Sequence, residues 1–81
     1  MDCHSEPTRA QLVKVYNAAT ALLKEREDSG LSVVATKWDI VNRLIGMNHL
    51  MVDNCMKVLA EKGVFTLRKN VNHIPLILPK Q

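Results

Sequence analysis

The sequence predicts one α+β domain, three helices followed by a β-hairpin. Two observations carry this. Apolar residues recur at three- and four-residue spacing as far as Leu59, and from Phe65 the period becomes two. Gly30, Gly46 and Gly63 each follow a periodic stretch and mark its end. With 81 residues, 47% of them apolar and 23% charged, the chain holds one small core and is too apolar to be disordered.

The first helix is expected over residues 8–28. Leu12, Val15, Tyr16, Ala19, Leu22 and Leu23 define its apolar face, and Thr8 with Gln11 has capping-box spacing just after Pro7. Residues 1–7 form a tail, and the domain fills residues 8–79. Leu31 to Ala35 is β-branched at its centre and reads as a short strand or extended link. Thr36 with Asp39 repeats the capping pattern, opening a second helix over 37–45 with the stripe Trp38, Val41, Leu44 and Ile45. Asn48 caps a third helix over 49–62, whose stripe is Val52, Cys55, Met56 and Leu59. A hairpin then spans 64–78, turning over Lys69 to His73, with Pro75 confining its strand to a sheet edge. Leu12, Tyr16, Leu23, Trp38, Val41, Leu44, Val52, Met56, Leu59 and Phe65 are predicted to be buried together. Exposure of either Trp38 or Leu59 in the folded monomer would overturn this arrangement.

Charge is distributed unevenly. Residues 1–63 hold eight basic and eight acidic side chains, whereas Arg68, Lys69 and Lys80 follow with no acid. The whole net charge of +3 therefore lies in the last eighteen residues, a local attraction for phosphate. Cys3 and Cys55 are expected to be free thiols in a reducing compartment, since two cysteines in such different settings make no disulfide framework. The first residues show no signal-peptide pattern, and no apolar run approaches the ~20 residues of a membrane span, so a cytoplasmic location is expected. Neither metal-ligand spacing such as CxxC or HxxxH nor a Ser/His/Asp arrangement or glycine-rich phosphate loop is present. No metal, cofactor or enzymatic activity is expected.

The segment from Lys37 to Phe65 resembles the helix-turn-helix of the winged-helix superfamily, the small bacterial and phage regulators in particular. In that pattern a helix ends in leucine and a glycine turn leads to a capping residue. Apolar positions then fall four, eight and eleven residues after the cap, and a glycine fifteen after it. With Asn48 as the cap, Val52, Met56, Leu59 and Gly63 occupy those offsets. The resemblance implies a protein that binds double-stranded DNA, placing the third helix in the major groove.

Opposite Val52, that helix carries Leu50, Asp53, Asn54, Lys57 and Glu61. By resemblance, Asn54 is placed to pair with adenine and Asp53 to accept from cytosine, with Leu50 and Met51 against thymine methyls. Lys57 and His49 would meet the backbone. Arg68, Lys69 and His73 in the wing would supply phosphate contacts, helped by Lys37 and Arg43 from the second helix. Asp53 and Glu61 against one lysine make this helix more acidic than is usual for a DNA reader. Leu50, Met51 and Val58 also form an apolar flank, which favours a rival reading as a protein-docking module. A homodimer or tandem binding is expected, because one small domain reads DNA with weak specificity, and Val13, Ala18 and Ala21 of the first helix are the candidate dimer face.

Overall fold

A computed structural model of the chain describes residues 7–79. In order these form α1 (Arg9–Asp28), β1 (Ala35–Thr36), α2 (Lys37–Arg43), α3 (His49–Glu61), β2 (Phe65–Lys69) and β3 (Pro75–Pro79). The protein is an α+β structure of three helices and one three-stranded antiparallel sheet.

Each helix begins where its local chemistry requires. Thr8 accepts from the Gln11 amide while the Gln11 side chain accepts from the Thr8 amide, a complete capping box. Thr36 and Asp39 close the same reciprocal pair on α2. Asn48 Oδ1 accepts from the Leu50 amide at 2.7 Å and caps α3. The end of α3 is also defined locally. Gly63 adopts φ +82°, and the amides of Gly63 and Val64 donate back to the carbonyls of Ala60 and Leu59. This reversal satisfies carbonyls the helix leaves unpaired and sends the chain directly into β2.

In the sheet the order is β1-β3-β2. Ala35 lies opposite Ile77 and Thr36 opposite Leu76, while β2 pairs with β3 from Phe65↔Pro79 to Lys69↔Pro75. The strand holding Pro75 is therefore central, not an edge as the sequence suggested. Pro75 is tolerated because it opens the strand, one residue beyond the reach of the two-residue β1, where no third strand asks for its missing N–H.

Val15, Ala18, Ala19 and Leu23 from α1 meet Ile40 from α2, then Val52, Cys55, Met56 and Leu59 from α3. Phe65, Ala35 and Ile77 close the core from the sheet. Of the predicted core, Leu23, Val52, Met56, Leu59 and Phe65 are buried, and Leu12, Val41 and Leu44 pack partly buried against them. Two predictions are overturned. Tyr16 is 42% exposed and Trp38 is 44% exposed. Leu59 passes the test set for the core and Trp38 fails it. The predicted core arrangement is therefore overturned at α2, where Ile40 is buried in place of Trp38, while the α+β order of three helices and an antiparallel sheet remains. At ~100° per residue these two side chains leave α2 about 160° apart, so one helix face cannot bury both. Ile40 is wholly apolar, whereas the indole and phenol each carry a polar tip that favours a water-facing edge. Ile45, expected on the same stripe, lies beyond the end of α2 and is fully exposed.

Cys55 is a free, buried thiol, and burial raises its pKa above the ordinary value. With little thiolate and little access, it should react slowly with a thiol reagent in the folded protein and rapidly once denaturant unfolds the chain. Fast labelling of Cys55 under native conditions, read by mass spectrometry of its peptide, would contradict this packing. Cys3 and the predicted tail segment 1–6 lie outside the described residues.

Candidate nucleic-acid interface

α2 and α3 are joined by the turn through Gly46, and α3 buries one stripe and turns the other outward. Gly46 adopts φ +87°, a left-handed conformation that an L side chain would strain. The buried stripe of Val52, Cys55, Met56 and Leu59 sets the rotation of the helix about its axis. His49, Leu50, Asn54, Lys57 and Glu61 are consequently exposed, and Leu50 is 60% so.

Asp53 is placed differently from its expected role. Its side chain is 22% exposed, one carboxylate oxygen lies 3.9 Å from Lys57 Nζ, and the other is occluded without a hydrogen-bond partner among the described residues. A base-reading acceptor must present its oxygens, and Asp53 presents little. Its nearer relation is to Lys57, a weak ion pair one helical turn along. The apolar flank is also smaller than the sequence implied. Met51 and Val58 are half-buried, and Met51 packs against the core, so Leu50 alone of the three stands out.

The hairpin presents Arg68, Lys69 and His73 to solvent. Its turn is built around Asn70. The Asn70 carbonyl accepts from His73 at 2.9 Å, and Asn70 Oδ1 accepts from the amides of Asn72 and Ile74 at 2.8 and 3.0 Å. This side chain satisfies two turn amides and holds His73 in the left-handed region at φ 62°, with Val71 almost fully exposed at the tip. Neither Arg68 nor Lys69 has a salt-bridge partner among the described residues. Lys80, the third cation of the basic segment, lies outside them.

The two cations assigned to the second helix part ways. Arg43 pairs with Glu25 on α1, an ion pair between residues far apart in sequence. The Arg43 guanidinium holds the Glu25 carboxyl below its ordinary pKa, and Glu25 raises that of Arg43. The pair's contribution to folding is complete above the ordinary glutamate range and is lost as pH falls through the lowered value. Arg43 is thus engaged by an acid within the fold. Lys37 instead meets His49, its Nζ donating to Nδ1 at 3.5 Å, and lies 4.8 Å from the ring centre of Trp38. Trp38 and His49 lie with ring centres 5.2 Å apart and planes 32° from parallel.

Sequence reasoning placed Trp38 in the core and so missed that it adjoins this surface. The signal available was its place between Lys37 and Asp39, polar neighbours at the start of a short helix. On α1 the expected dimer face is also revised. Ala18 is buried in the core and unavailable, while Val13 and Tyr16 are exposed one turn apart.

No protein-family model, curated protein or solved structure matches this chain.

Proposed function

We propose that this chain is a winged-helix DNA-binding protein, a small transcriptional regulator or accessory factor that reads duplex DNA with α3 and holds the backbone with the β2–β3 hairpin. The observation that carries the reading is a juxtaposition in the chain. A helix-turn-helix with a solvent-facing α3 runs directly, through the Gly63 reversal, into a hairpin bearing Arg68 and Lys69 without acidic partners among the described residues. Asn54 supplies the base-reading chemistry, since an exposed carboxamide matches the donor–acceptor pair of adenine in the major groove. Lys57 and the hairpin cations supply phosphate contacts.

The deciding experiment is binding to labelled duplexes across a range of salt concentrations. Affinity should fall linearly with salt on logarithmic axes, as counterions are released from the DNA. Asn54→Ala should leave that slope nearly intact and relax preference at one base pair, at about 1–3 kcal/mol. Absence of duplex binding even near ~50 mM salt, where such contacts are strongest, would refute the proposal. Exposure of Leu50 favours the second reading, docking of a protein partner on α3. Under that reading Leu50→Asp abolishes a protein complex and leaves folding unchanged.

A further inference from the structure

The cluster at the starts of α2 and α3 is a prepared arrangement of donors around an exposed indole. The Lys37 ammonium is 4.8 Å from the Trp38 ring centre and 3.5 Å from His49 Nδ1, and the two ring centres are 5.2 Å apart. These lengths close a triangle. Lys37 and His49 therefore sit together beside the indole, which remains 44% exposed.

An ammonium can only donate, so in a hydrogen bond between them His49 Nδ1 is the acceptor, which leaves Nε2 as the ring's donor. The indole N–H is a donor as well. The nearby acids are already engaged. Asp39 accepts from Arg26 at 3.1 Å and from the Thr36 amide at 3.0 Å, while Asp53 is turned toward Lys57. The charge of Lys37 therefore has no carboxylate partner among the described residues. One cation, two N–H donors and a part-exposed aromatic ring suit an anion joined to an apolar ring. A backbone phosphate with its deoxyribose has that chemistry.

We infer that Lys37, Trp38 and His49 form a second DNA-backbone site flanking α3, taking one phosphate on the lysine and imidazole side and packing the indole against the adjoining sugar. The inference rests on the DNA-binding reading and adds to it a residue with no expected role, Trp38. It also accounts for a large aromatic left 44% exposed beside the proposed reading helix.

Trp38 is the only tryptophan in the chain, so its emission reports this site alone. Duplex DNA added to the wild-type protein at low salt should shield Trp38 from acrylamide quenching. Shielding should develop over the same DNA concentrations that raise the anisotropy of a labelled duplex. Trp38→Ala should weaken duplex binding roughly three- to tenfold, the size of one hydrogen-bonded contact, and Trp38→Phe should recover part of it. Lys37→Ala should lower the salt slope by about 0.9, one phosphate contact. Circular dichroism confirms that each variant is folded. If anisotropy saturates while Trp38 remains as open to acrylamide as in free protein, this site is refuted and the DNA-binding reading survives. If anisotropy does not respond at all, the DNA-binding reading fails and this site falls with it. Stronger shielding by a single strand than by the duplex would overturn the assignment to duplex backbone.

Discussion

Ile40→Ala is expected to destabilise the fold by about 2–5 kcal/mol, enough to leave a domain of this size partly unfolded at room temperature. The side chain is fully buried where α2 meets the other helices, and its removal empties space that neighbouring residues cannot easily refill. Leu59→Ala, on the adjoining face of α3, should fall in the same range of about 2–5 kcal/mol. Trp38→Ala removes more atoms but leaves a smaller void, since so much of the indole already faces water. It should destabilise less than Ile40→Ala. Urea denaturation followed by circular dichroism orders the three variants. A larger loss for Trp38→Ala than for Ile40→Ala would mean that α2 is rotated to the phase the sequence suggested.

Replacing Arg68 and Lys69 together with alanine should produce the largest loss of DNA affinity available from two substitutions. Residues 1–63 are neutral as a set, so long-range attraction to a polyanion must come from the hairpin. If each cation holds one phosphate, the logarithmic salt slope falls by about 1.8, equivalent to roughly 60-fold in affinity at about 0.1 M salt. The loss should be the same for every duplex sequence, because phosphate contacts carry no base information. Both side chains are exposed near the turn, so stability should be unchanged. A loss confined to one sequence would show that the hairpin reads bases. An unchanged slope would remove the hairpin from the interface.

The caps explain why so much of the architecture was legible beforehand. Thr8 with Gln11, Thr36 with Asp39, and Asn48 with Leu50 each complete their hydrogen bonds within four residues. Such bonds depend on nothing distant, and a reader of the chain can find them. The stripe of α3 was equally clear. Thirteen residues give more than three turns, and Val52, Cys55, Met56 and Leu59 leave one choice of buried face. The outward placement of His49, Asn54 and Lys57 followed from that choice.

What the sequence alone determined was the order of the helices, their starts, the stops of α1 and α3, and the change of period at Gly63, all set by interactions between near neighbours. Only the tertiary structure decided which faces of α2 and β3 point inward. α2 has seven residues, under two turns, and Trp38, Ile40 and Val41 offer apolar side chains in several directions. Residues 74–78 are apolar without a break, so alternation cannot orient β3, and pairing with β1 and β2 puts Pro75 and Ile77 inside. The Arg43–Glu25 pair and the Lys37–Trp38–His49 cluster join separate elements and exist only once those elements pack. A short or uniformly apolar segment carries too little periodicity to choose its own face, and the choice passes to whichever neighbours it can bury.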